Sequence, residues 1–155
     1  MTLRVGQQAP DFEKTTHKGE PLSLAQLRGD KAVVLYFYPK DETPGCTAEA
    51  CSFRDAYEAF TDAGAVVIGV SSDSLASHEK FAAHHRLPFE LISDEDGQLR
   101  RAYDVPSSML GLLPGRVSYV IDREGKVAHV FNSQIQAKRH VKEALAVVER
   151  IARGS

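Results

Sequence analysis

Apolar residues fall along this chain in two kinds of pattern, unbroken runs and helical repeats. Val33-Val34-Leu35-Tyr36-Phe37-Tyr38 is an unbroken run and predicts a strand over 32–38 covered on both faces, its aromatics serving as core and pocket wall. Ala65-Val66-Val67-Ile68-Gly69-Val70-Ser71 predicts a second buried strand. Between them, Cys46, Ala50, Phe53, Tyr57 and Phe60 recur at i, i+4, i+7, i+11 and i+14, which predicts one buried face of a helix over 44–63. Cys51, Asp55, Glu58 and Asp62 lie on a different, mostly polar face. A helix over 74–86 with Asp73 or Ser74 as cap, a short strand over 89–92 and a short helix over 96–103 follow. Strands over 117–121 and 126–131, joined by Asp122-Arg123-Glu124-Gly125, predict an antiparallel hairpin. A closing helix over 135–152 gathers Ala137, Val141, Leu145, Val148 and Ile151 on one face. Before residue 30 the chain is punctuated by Gly and Pro and predicts a small hairpin of Phe12–Thr16 with Leu22–Ser23.

This order of elements describes an α/β fold, a mixed sheet with helices on both faces. Nothing divides the 155 residues by repeat, low-complexity tract or linker, so one domain over 1–155 is expected. At 43% hydrophobic residues and a net charge of −2, the composition is that of a globular chain. Its Lys and Arg are scattered rather than striped, against nucleic acid as a partner. No apolar run approaches the ~20 residues of a membrane span. The segment Met1-Thr2-Leu3-Arg4-Val5-Gly6 has no apolar signal, and two cysteines are too few for a disulfide-stapled scaffold, so a reducing cytoplasm is expected.

Those two cysteines, in Thr43-Pro44-Gly45-Cys46-Thr47-Ala48-Glu49-Ala50-Cys51, carry the candidate chemistry. Thr43 suits a helix N-cap and Pro44 the first helical position. Cys46 then lies in the first turn, where the Thr43 hydroxyl is expected to cap its N–H and the helix dipole favours a thiolate. Asp41, Glu42 and Glu49 oppose that charge, and Lys40 is the nearest cation in sequence. Cys46 is expected to point inward and Cys51 nearer to solvent. Five residues along a helix separate Cα atoms by roughly 8–9 Å, whereas a disulfide tolerates at most about 7 Å. The two sulfurs therefore bond only if the helix start unwinds. The competing readings are two unrelated thiols and a zinc site. Zinc needs two more ligands, and the only adjacent histidines, His84 and His85, are expected to face two directions from a helix.

Pro39-Lys40-Asp41-Glu42-Thr43-Pro44-Gly45-Cys46 matches P-x-x-x-T-x-x-C, the active-site motif of the peroxiredoxins. Tyr36-Phe37-Tyr38-Pro39 through Cys51, the Leu113-Pro114-Gly115-Arg116 block, Phe131-Asn132-Ser133-Gln134 and the opening Gly6-Gln7-Gln8-Ala9-Pro10-Asp11-Phe12 resemble the bacterioferritin-comigratory-protein or peroxiredoxin Q branch over nearly the full length. The resemblance implies a thioredoxin-like fold with the N-terminal hairpin as an addition. It implies a thiol-dependent peroxidase acting on hydrogen peroxide and organic hydroperoxides. Cys46 would be the peroxidatic cysteine and Cys51 the resolving one. Thr43 would hold thiolate and peroxide, Pro39 would shield the pocket, and Arg116 would be the cation. Glu49 is a weaker candidate at a position where the family often carries a polar side chain. Thioredoxin or a similar dithiol protein would return the electrons, with no metal or organic cofactor. A monomer is implied, and the apolar loop 105–115, with Met109, Leu110, Leu112 and Leu113, keeps a dimer or a role at the peroxide entrance open. The alternatives are a general thiol–disulfide oxidoreductase, disfavoured because C-x-x-C is absent, and a redox-sensing module.

Overall fold

The computed structural model describes residues 2–108, 113–114, 116–133 and 136–154. The chain opens with an antiparallel pair, β1 (Glu13–Thr15) and β2 (Pro21–Ser23). A four-residue helix, α1 (Leu24–Leu27), begins there on a capping box between Ser23 and Gln26. Next come β3 (Ala32–Phe37), α2 (Pro44–Asp55), α3 (Tyr57–Asp62) and β4 (Ala65–Ser71). They are followed by α4 (Leu75–His85), β5 (Glu90–Ser93), α5 (Gln98–Ala102), β6 (Ser107–Ser108) and β7 (Leu113–Pro114). The chain ends with β8 (Val117–Ile121), β9 (Val127–Asn132) and α6 (Ala137–Ala152).

Five strands form one mixed sheet in the order β5-β4-β3-β8-β9. β3, β4 and β5 are parallel, while β8 runs antiparallel to β3 and β9 antiparallel to β8. The central position of β3 explains its apolar run, since every one of its residues is buried. Its side chains alternate between two cores. Val34 and Tyr36 join Ala50, Phe53, Phe60, Phe89, Val141 and Val148 beneath α2, α3 and α6. Val33, Leu35 and Phe37 join Phe12, Leu99, Tyr103, Val117 and Tyr119 on the opposite face. Tyr36 stacks on Phe53 with ring centroids 4.5 Å apart, which fixes α2 over the sheet. The N-terminal hairpin closes on the β5 edge through the Thr16–Ile92 bridge. No helix among the described residues is long and apolar enough to cross a membrane.

The expected helix over 44–63 is two helices. Ala56, at φ −97° and ψ 4°, leaves the helical region for one residue, after which α3 begins. Phe60 stays buried across the break and Tyr57 becomes half-buried. Periodicity cannot register a single displaced dihedral pair. The expected loop 105–115 contains a small ladder instead, with Ser107 opposite Pro114 and Ser108 opposite Leu113. Met109, Leu110 and Leu112 lie outside the described residues.

Candidate active site

Register places the site. β3 pairs with β8 so that Phe37 faces Val117. Arg116 therefore stands beside the end of β3, where the chain passes through Pro39–Thr43 into α2. Pro44 occupies the first helical position of α2. The first helical hydrogen bond runs from the Thr47 N–H to the Thr43 carbonyl at 2.8 Å, so the N–H groups of Gly45 and Cys46 have no intrahelical acceptor. Cys46 is 1% exposed. Arg116, 4% exposed, donates from Nη2 to its Sγ at 3.4 Å. A Cβ on Gly45 would lie 2.9 Å from that same Nη2. The glycine is thus what lets a guanidinium lie flat against the first turn of the helix.

Thr43 is the N-cap, but its hydroxyl does not cap the helix. It donates to the Lys40 carbonyl at 2.7 Å, closing the turn before α2. Lys40 itself is exposed, and the cation at the sulfur is Arg116. Pro39 is half-buried where β3 gives way to this turn. Cys51 is half-buried on the same continuous helix as Cys46, and both are free thiols.

Glu49 is 0% exposed and pairs with Arg116, Oε1 to Nη1, at 2.6 Å. Burial raises its carboxyl to about 7 against the opposing pull of Arg116. Its other oxygen has no hydrogen-bond partner among the described residues and lies 3.6 Å from His140 Nδ1. His140 is itself buried, its Nε2 donating to the Ser133 carbonyl at 2.8 Å while Nδ1 meets the Ser118 hydroxyl at 2.7 Å. Burial lowers this imidazole to about 4, so it is neutral near pH 7. Arg116 is thus shared between a sulfur and a carboxyl that titrates near neutrality. Because the Glu49 carboxyl is raised on folding, its contribution to stability is full below the unfolded value of 4.5 and is lost as pH rises through about 7. Glu49→Gln has no such proton to lose. Urea unfolding of the reduced proteins should show the variant gaining on wild type by about 3 kcal/mol between about pH 4 and about pH 9. Parallel pH profiles would place the Glu49 carboxyl in the ordinary range.

Asp41 was expected to oppose charge on the sulfur, but it is engaged elsewhere. It accepts from Tyr38 at 2.6 Å and Ser77 at 2.9 Å, and lies 2.7 Å from His78 Nδ1. His78 Nε2 in turn donates to the Ile92 carbonyl at 2.9 Å. Glu42 also turns away, and His84 and His85, rather than facing two directions, both reach it. Glu49, His78 and His140 have one sequence signature in common: each interrupts a buried helical stripe. Glu49 sits with Cys46, Ala50 and Phe53, His78 with Phe81 and Ala82, and His140 with Val141, Ala144 and Val148. A titratable residue at a core position must find a partner across the fold. That signal was readable for all three and identifies the partner of none.

The sequence model of the AhpC/TSA family matches residues 5–130. A wheat (Triticum aestivum) protein, "Peroxiredoxin Q, chloroplastic", is 48% identical over 146 residues, covering 94% of this chain and 67% of the relative. Among solved structures, peroxidoxin BcpB from Mycobacterium tuberculosis superposes with a TM-score of 0.88 at 37% identity, covering 96% of this chain and 98% of the other. A Xanthomonas campestris bacterioferritin comigratory protein, studied for alkyl peroxide reduction, superposes with a TM-score of 0.86 at 32% identity over 96% of this chain and 99% of that one. The fold shared with these neighbours is thioredoxin-like, with the N-terminal hairpin added.

Proposed function

The chain belongs to the AhpC/TSA family as a peroxiredoxin of the Q branch, a thiol-dependent peroxidase, and on that premise we propose that Cys46 is the sulfur that attacks peroxide and Cys51 the one that resolves it. The observation carrying this assignment is the Arg116 Nη2–Cys46 Sγ contact of 3.4 Å at the start of a helix. A guanidinium, a helix N-terminus and two N–H groups without intrahelical acceptors all favour negative charge at that point. The Cys46 thiolate attacks the terminal peroxide oxygen, the O–O bond breaks, and the departing oxygen leaves as water or an alcohol after taking a proton. Negative charge grows on that departing oxygen. Arg116 and the Cys46 N–H are donors already in place for it, so they need no reorganisation as the bond breaks.

Cys46 is then a sulfenic acid. The Cys51 sulfur attacks it, hydroxide leaves with the Cys51 proton as water, and a disulfide remains. α2 is continuous from Pro44 to Asp55, so this step requires its first turns to unwind. Unwinding also presents the disulfide to thioredoxin or a similar dithiol protein, which restores both thiols. Thr43 and Pro39 shape the turn from which the peroxide is met. A reducing cytoplasm is the proposed setting, because both sulfurs return to thiols in every cycle. Cys51→Ser tests the division of labour. With thioredoxin as donor it should consume about one equivalent of peroxide per chain and then stall, and small thiols should restart it. Undiminished steady-state turnover with thioredoxin would remove Cys51 from the cycle. Hydrogen exchange on the wild type should show the amides of 43–51 losing protection on oxidation. Unchanged protection would rule out unwinding.

A further inference from the structure

Glu42 has φ +64°, the left-handed region that few non-glycine residues occupy. It lies between Asp41, held in the buried network with His78, and Thr43, the N-cap of α2. This conformation sends its carboxylate to the last turn of α4. There Oε2 lies 3.0 Å from His84 Nδ1, Oε1 lies 3.2 Å from that same nitrogen, and Oε1 lies 3.0 Å from His85 Nε2. The two imidazole rings are tilted against each other with centroids 4.1 Å apart, and one donor atom from each of the three residues lies within 4.8 Å of the other two. Ligands 2.0–2.1 Å from a tetrahedral ion stand roughly 3.3 Å apart, so small side-chain shifts suffice.

We propose that Glu42, His84 and His85 form a site for a divalent transition ion of the zinc class, and that its occupancy restrains the start of α2 and slows disulfide formation between Cys46 and Cys51. Two imidazoles and a carboxylate are a zinc donor set that leaves a position for water. Binding displaces the protons on the ring nitrogens that face Glu42. The restraint follows from where α4 grips α2. Glu42 precedes the segment that must unwind, and Arg54 follows it, donating from Nη1 to the His85 carbonyl at 2.9 Å. The end of α4 thus holds both sides of the Cys46–Cys51 segment, and a metal would replace the exchangeable hydrogen bonds of one grip with coordinate bonds. This restraint rests on the Cys46–Cys51 cycle proposed above, whereas the binding site does not.

Zinc chloride titrated calorimetrically into the full chain carrying Cys46→Ser and Cys51→Ser should bind one to one, with no thiol available to capture it. Adding His84→Ala should weaken binding by at least about 100-fold, because loss of a supporting partner alone costs 10–100-fold. His84 is 66% exposed, so this change leaves the fold intact. Equal affinity with and without His84 overturns the site. In the native-cysteine protein, saturating zinc should slow disulfide formation after a single peroxide addition about tenfold or more relative to the metal-free rate, and should leave His84→Ala at its own metal-free rate. An unchanged rate with zinc bound overturns the restraint while leaving the peroxidase cycle standing. A metal-free wild type that forms no disulfide removes the step to be restrained, and is recognised before any metal is added.

Discussion

Cys46→Ser protein is expected to lose peroxide consumption by on the order of 10³-fold or more while folding as the wild type does. The loss is chemical. A serine hydroxyl is a far weaker nucleophile than a thiolate, and its oxygen has no counterpart to the sulfenic acid through which the cycle passes. The fold survives because the substitution is nearly isosteric and leaves the buried Glu49–Arg116 pair in place: Glu49 still holds Arg116 at 2.6 Å, and Nη2, which met the sulfur at 3.4 Å, faces a hydroxyl that can accept from it. The stability change should be about 1 kcal/mol. Peroxide assays with a thioredoxin system, paired with thermal melts, separate lost chemistry from lost fold. Full activity in a well-folded Cys46→Ser protein would transfer the nucleophile's role elsewhere. Cys51→Ser, which retains one turnover, distinguishes the two sulfurs in the same assay.

How much of this was legible before the structure depended on the range of the interaction. The strand over 32–38, the inward position of Cys46 and the hairpin of 117–121 with 126–131 follow from local period and turn chemistry, and they stand within a residue or two of where the structure puts them. The break at Ala56 does not follow, since one residue leaving the helical region alters no apolar spacing. Thr43 shows a subtler limit. Its position as N-cap was readable, yet its hydroxyl has two competing backbone partners, and the tight turn at Lys40 wins. The partners of buried charges were the least legible. Arg116 and Glu49 are 67 residues apart, and Glu42 is 42 and 43 residues from the two histidines it meets. Only the sheet register and the packing of α2 between α4 and α6 bring such pairs together. The motif pointed to Arg116 without the pairing, and the pairing is what makes Glu49 part of the site.

Arg116→Met separates the two duties of that guanidinium. Peroxide reduction should fall by about 10²–10³, the usual consequence of removing one preorganised donor from a developing oxyanion. The protein should also lose stability, because the fully buried Glu49 loses its counter-ion. Where the carboxyl remains ionised the loss should be about 3–5 kcal/mol. It should shrink as pH falls, because the Glu49 carboxyl, already raised by burial and now without the lowering pull of Arg116, takes up a proton instead. The double variant Arg116→Met with Glu49→Gln has no stranded charge, so denaturant unfolding should return most of the stability at alkaline pH. Its peroxide reduction should remain as low as that of the single variant, because neither methionine nor glutamine restores a cation at the sulfur. Recovery of rate along with stability would mean that Arg116 serves only to neutralise Glu49 and that charge on Cys46 depends on the helix N-terminus alone. Recovery of stability without rate would place the catalytic weight on the 3.4 Å contact between Nη2 and Sγ.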